Sequence, residues 1–259
     1  MELDRKKYKN QVALNNAIAE LIREKDSTDA AFSQEEKAFI RLYSGSGGQG
    51  SKGAEGEGIL YEFYTPSYIC ELMYELAIRY GYDGGNILEP SCATGELIRP
   101  AKDYKKVVGF EINPTSKHIS EILYPGVTIY NWYFEKALLQ PPRYTEKMKG
   151  KVTWMEQYPF SLVIGNPPYG IYKNTYSSYF DKKLFKQIEI FFIYQGLKML
   201  KSGGLLVYIV SSNVLRNGDK YNYAKEKIGE IADIVDAYRL PSVFEFTKVP
   251  TDIIVLKKK

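Results

Sequence analysis

The chain has 259 residues, with 35 Lys and Arg against 31 Asp and Glu, a net charge of +4, 44% hydrophobic residues, two cysteines and one histidine. That supplies a real core for one large or two small domains and excludes disordered, collagen-like and disulfide-stapled classes. His118, Cys70 and Cys92 are too few for a Cys/His zinc site, and no stretch reaches the ~20 apolar residues of a membrane helix. The charged N-terminus MELDRKKYKN leads into no apolar run, so a cytoplasmic protein without signal peptide or membrane partner is expected. The small positive charge permits an anionic partner without requiring one.

Residues 1–43 read as helical, with Tyr8, Val12, Leu14, Ile18, Leu21 and Ile22 near one face. Ser33 and Glu36 fit a capping box that opens a second helix through Phe39, Ile40 and Leu42. Residues 44–58 carry seven glycines in fifteen positions, which predicts a loop and a boundary. Thr65-Pro66 reads as an N-cap followed by proline at the first helical position. Ile69, Leu72, Met73, Leu76 and Tyr80 mark the buried face of that helix. Short apolar runs then alternate with helical stretches, giving predicted strands at 86–88, 107–110, 127–130, 160–164, 205–210, 231–238 and 252–256. Residues 198–204 read as a helix end and turn. Such alternation implies βαβ units around a mostly parallel sheet. The expected fold is a doubly wound, Rossmann-like α/β domain over 59–259, preceded by a helical N-terminal extension and Gly-rich loop over 1–58.

Ligands bind beyond the carboxyl ends of such strands. The first strand closes in Glu89-Pro90-Ser91-Cys92-Ala93-Thr94-Gly95, whose small residues let the backbone approach a ligand, although neither a P-loop nor a dinucleotide glycine pattern is present. Glu111 ends the second strand, 22 positions after Glu89, where a carboxylate can accept from a ribose diol. An apolar strand next runs into Asn166-Pro167-Pro168-Tyr169. The prolines remove amide donors and stiffen an extended tetrapeptide. The Asn166 oxygen and Pro167 carbonyl can accept two hydrogens of an exocyclic amine, while Tyr169 can stack on its ring.

These residues resemble the amino-group S-adenosyl-L-methionine-dependent methyltransferases, specifically the N6-adenine DNA methyltransferases, over residues 60–259. The resemblance implies a methyltransferase catalytic domain. Phe63-Tyr64-Thr65-Pro66 is similar to the motif that holds the methionine end of the cofactor. Glu89, Pro90, Ser91, Ala93 and Gly95 resemble the first cofactor motif, with Ala93 where a second glycine is usual. Glu111, with Ile112 beside it, is similar to the ribose-binding acid. Phe134 and Glu135 stand where the family has an adenine-binding Asp-Phe pair. Asn166, Pro167, Pro168 and Tyr169 match the catalytic motif, Asn166 also facing the cofactor. Residues 249–256 resemble the last sheet hairpin. The motif order is similar to the gamma arrangement, and the Gly-rich loop before Tyr-Thr-Pro is similar to that of methylase domains in phage and plasmid helicase–methylase proteins.

The implied reaction is direct, metal-free methylation of N6 on a single flipped adenine of DNA. Tyr172, Lys173, Tyr176, Lys182 and Lys183, in an aromatic and lysine-rich segment after the motif, suit unstacked bases and phosphates. That segment reads equally as an amphipathic stretch with solvated lysines. The resemblance supplies no target-recognition domain, so a separate specificity subunit or domain is an expected partner. A glutamine side-chain amide or an RNA adenine presents the same NH2 geometry, so a protein-glutamine or RNA adenine methyltransferase are the alternatives. A non-catalytic binding subunit would not need the intact Asn166–Tyr169 motif.

Overall fold

A computed structural model describes residues 3–44, 65–139, 157–216, 219–242 and 249–259. Its strands are β1 (Ile87–Glu89), β2 (Val107–Phe110), β3 (Thr128–Tyr130), β4 (Phe160–Gly165), β5 (Leu200–Ser211), β6 (Ala232–Arg239) and β7 (Thr251–Lys258). They form a seven-stranded sheet in the order β3-β2-β1-β4-β5-β7-β6. All pairings from β3 to β5 are parallel, whereas β7 runs antiparallel to both β5 and β6. The chain leaves β1 toward β2 and β3, then returns to β4 on the other side of β1. The switch point therefore lies between the carboxyl ends of β1 and β4, where Glu89 and Gly165 stand.

Burial on both faces explains the apolar strand sequences. Leu162 and Ile164 of β4 face one core, with Leu205, Val207 and Ile209 of β5 and Ile253 and Val255 of β7. Val163, Leu206, Tyr208, Val210, Ile254 and Leu256 face the other. The first core takes α1 (Gln11–Thr28), α2 (Gln34–Ile40), α3 (Ser67–Arg79) and α4 (Pro114–Leu123). The second takes α5 (Phe134–Leu138), α6 (Ile188–Met199) and α7 (Asp219–Ile231). Leu14, Ile18, Phe39 and Ile40 of the first two helices share a cluster with Ile69 and Ile87. At about 1.5–3 kcal/mol per buried large side chain, that packing anchors the N-terminal helices to the core on this side of the sheet. Arg41 adds a bond to the Tyr124 hydroxyl at 2.8 Å, and His118 on α4 meets Asp26 on α1 at 2.8 Å.

The Ser33–Glu36 capping box is present in both directions. Thr65 does not cap α3: Pro66 occupies that place without a side-chain cap bond, and the Thr65 hydroxyl turns instead toward Asn166. The helix end expected within 198–204 is present at Met199, but the turn residues that follow lie inside β5. Phe160 pairs with Leu200 and Leu162 with Leu205, so residues 201–204 bulge from the ladder, with Gly203 at φ 74° supplying the left-handed step. No helix among the described residues is long and apolar enough to cross a membrane.

Candidate active site

The turn after β1 is built from opposing constraints. Ala93 sits at φ 46°, a conformation that costs a non-glycine residue roughly 1–2 kcal/mol. Two bonds from other elements hold it: its N–H donates to Glu111 Oε2 at 2.8 Å, and its carbonyl accepts from Ser120 Oγ at 2.9 Å. Gly95 leaves room for the Tyr124 ring. It lies at φ 82°, and a Cβ there would stand 2.7 Å from that ring. Glu111 Oε1 accepts from Asn113 N at 2.7 Å, so backbone amides orient both carboxylate oxygens. Each oxygen keeps acceptor capacity for a ribose hydroxyl. Beside it Ile112 remains 38% exposed on the rim.

Thr65, Glu89, Ser91, Ala93, Thr94 and Asn166 line one recess at the switch point. Pro90 is buried immediately beside it. Glu89 is only 2% exposed, and Glu89 Oε2 and Ser91 Oγ are buried without a hydrogen-bond partner among the described residues. Burial first, then the charges of Glu111 and Glu96, pushes the Glu89 carboxyl well above the usual carboxylate range. An unsatisfied buried carboxyl is costly alone and favours a neighbouring cation. The chemistry of the recess thus suits S-adenosylmethionine, which carries a sulfonium and an ammonium group.

Across the recess, β4 delivers the Asn-Pro-Pro-Tyr motif. Asn166 Nδ2 donates to Thr65 Oγ1 at 3.2 Å, and the Tyr169 hydroxyl donates to Asn166 Oδ1 at 2.5 Å. Pro167 is buried, while Pro168 and Tyr169 are half-buried. Burial and the Glu189 charge raise the Tyr169 phenol above its ordinary range, so it is a donor at neutral pH.

The segment after the motif is closed at its base. Ile188 N donates to the Gly170 carbonyl at 2.9 Å, and Tyr172 N to the Lys186 carbonyl at 3.2 Å. Two buried acids fasten it from below. Glu189 on α6 accepts from Gly170 N at 3.0 Å and Ser211 Oγ at 2.7 Å. Glu135 Oε1 accepts from the Tyr172 hydroxyl at 3.1 Å and Asn174 Nδ2 at 2.6 Å.

Several expected contacts change role. Tyr172, expected as a nucleic-acid contact, is buried and stacked on Phe191 at 4.6 Å. Glu135 is drawn to the post-motif segment, and Phe134 is 2% exposed, its ring filled in by Phe110 and Phe192. Neither side chain is presented to the rim as a free cofactor contact. Tyr176 is half-buried against Tyr133 at 5.3 Å. Lys173, Lys182 and Lys183 are exposed, the last with its ammonium 4.3 Å from the Tyr223 ring centre. Tyr64 and the Gly-rich loop lie outside the described residues. Glu189 escaped the sequence reading, although an acid inside the run Ile188-Glu189-Ile190-Phe191-Phe192 was a visible signal.

The sheet order, the recess at the switch point and the Asn-Pro-Pro-Tyr strand end define a class I S-adenosylmethionine-dependent methyltransferase fold. The same fold is seen in a Listeria monocytogenes protein described as a class I S-adenosylmethionine-dependent methyltransferase. The TM-score is 0.62 at 14% identity, covering 100% of this chain and 70% of that one. It also occurs in the methyltransferase subunit of a Streptococcus thermophilus type I restriction-modification system, with TM-score 0.62 at 21% identity over 87% of this chain and 48% of that one. The chain belongs to the Eco57I restriction-modification methylase family, which matches residues 105–244. It is 26% identical over 234 residues to defense against restriction protein B of Escherichia phage P1, covering 88% of this chain and 9% of that protein. The chain spans between 9% and 48% of the lengths of five curated relatives that it matches.

Proposed function

We propose that this chain transfers a methyl group from S-adenosylmethionine to N6 of an adenine in DNA. The observation that carries the reading is the meeting of Asn166, at the head of Asn-Pro-Pro-Tyr, with Glu89 and Ser91 in one recess. Tyr64, Thr65 and Pro66 together with Glu89 and Ser91 would hold the cationic methionine end, and Glu111 the ribose. When bound, the cofactor supplies an electrophilic methyl group on a sulfonium.

An adenine amine is a poor nucleophile because its lone pair is delocalised into the ring. Asn166 Oδ1 and the Pro167 carbonyl accept its two hydrogens, draw N6 toward tetrahedral geometry and localise that pair. Positioning and fixed dipoles then supply the rate, and N6 releases one proton after it takes the methyl group. The Tyr169 hydroxyl occupies Asn166 Oδ1 beforehand, so an entering base replaces that bond and takes the Tyr169 ring as its stacking partner. Base extrusion costs a few kcal/mol, of which stacking returns about 1–3 kcal/mol. Lys173, Lys182 and Lys183 meet phosphates, and a separate specificity subunit or domain selects the sequence.

The test incubates the protein and methyl-labelled cofactor in parallel with DNA, RNA and protein acceptors. Label is expected in DNA as N6-methyladenine. Label confined to RNA or to glutamine side chains contradicts the assignment.

A further inference from the structure

A second cavity, of about 300 Å³, opens on the sheet rim beyond β5, β7 and β6. That volume stands at the lower end of small-molecule sites. Ser212, Arg216, Arg239 and Asp252 are among its lining residues. Ser212 is 1% and Asp252 2% exposed, and neither Ser212 Oγ nor Asp252 Oδ2 has a hydrogen-bond partner among the described residues. The other Asp252 oxygen receives Arg239 Nε, which fixes the carboxylate and leaves Arg239 59% exposed. Arg216 is exposed, and among the described residues its guanidinium makes a long 3.4 Å bond to Asn213 Oδ1.

Strand register locates this cavity relative to the active site. Gly165, which ends β4, pairs with Tyr208, and Asp252 pairs with Val210 two residues further along β5. Strand spacings of about 5 Å and a rise of about 3.3 Å per residue put the cavity roughly 10–15 Å from Asn166 on the same rim. An unfilled buried acceptor calls for an N–H donor, and two rim guanidiniums call for an anion. A nucleotide with an amino-bearing base provides both, as carboxylates accept from cytosine N4 and arginines grip phosphate.

We propose that this rim cavity takes a nucleotide of the substrate strand near the target adenine, its base amine on Asp252 and Ser212 and its phosphate on Arg216 and Arg239. The inference rests on the DNA-methylation reading and adds a base-selective contact to it. Fluorescence anisotropy with single-stranded oligo-dC and oligo-dT of equal length provides the test. The wild type is expected to prefer oligo-dC about fivefold or more. Ser212→Ala and Asp252→Asn should each reduce that preference. Arg216→Ala should weaken both ligands equally and lower the salt slope by about one phosphate contact. Should Asp252→Asn unfold, Ser212→Ala and Arg216→Ala still decide the outcome. Equal affinities for the two oligonucleotides, or an unchanged salt slope in Arg216→Ala, would overturn the proposal. So would deoxycytidine monophosphate binding as tightly as oligo-dC, which would mark a free-nucleotide site. N6-methyladenine formation, measured on the same preparations, separates failure of this contact from failure of the methylation reading.

Discussion

The two halves of the active site differ in how completely they satisfy themselves. On the β1 side, Glu89 Oε2 and Ser91 Oγ are buried with no partner among the described residues. On the β4 side, Asn166 binds both Thr65 and Tyr169, and the following segment is fastened by Glu135 and Glu189. The first half holds a buried acid whose charged form a cation would stabilise. The second is closed on itself and must open for its base. Cofactor binding therefore relieves an existing electrostatic cost, whereas base entry exchanges one set of contacts for another.

The largest effect that separates the halves is expected from Asn166→Ala. Loss of one positioned polar partner lowers turnover on the order of 10²–10³-fold, while the Glu89 half keeps its cofactor affinity. Glu189→Ala comes next. It leaves Gly170 N and Ser211 Oγ unpaired near the core, which costs about 1–3 kcal/mol and lowers the melting temperature. An unchanged melting temperature would show that the post-motif segment is not held from below.

Glu89→Gln sharpens the contrast through opposite signs. With its folded pKa raised, Glu89 stabilises the free protein fully below 4.5, its ordinary value, and this stabilisation is lost as pH rises through the raised value. The amide should therefore raise the melting temperature of the free protein at neutral pH. It should also weaken cofactor binding about tenfold, equivalent to about 1.4 kcal/mol. In the wild type, a cationic ligand displaces the Glu89 proton, so its affinity should climb with pH. Calorimetry across pH in both proteins checks this, and parallel pH profiles would remove Glu89 from the cation's surroundings. The smallest effects belong to Lys182→Ala and Lys183→Ala, each expected to reduce the salt slope of DNA binding by about one.

The sheet was legible because strands buried on both faces must be apolar throughout. The 107–110 run and the cores of β4, β5 and β7 stand where that pattern predicts. Turn chemistry found the Glu89–Gly95 loop and the Asn166–Tyr169 strand end. Tertiary choices escaped. Thr65 could cap a helix or reach Asn166, and only the position of β4 decides. Tyr172 and Phe134 have the composition of ligand contacts, yet Phe191 and Phe192 arrive from α6 to bury them. The polar roles of Glu135 and Glu189 depend on partners 39 and 22 residues away, Asn174 and Ser211.

Nucleoside mass spectrometry on unmethylated genomic DNA, run beside cofactor calorimetry for wild type and Asn166→Ala, tests the division of labour most directly. We expect N6-methyladenine with the wild type, none above background with Asn166→Ala, and equal cofactor affinity in the two. Equal loss of methylation and cofactor binding in a folded Asn166→Ala protein would contradict the assignment of catalysis to the β4 half and cofactor capture to the β1 half.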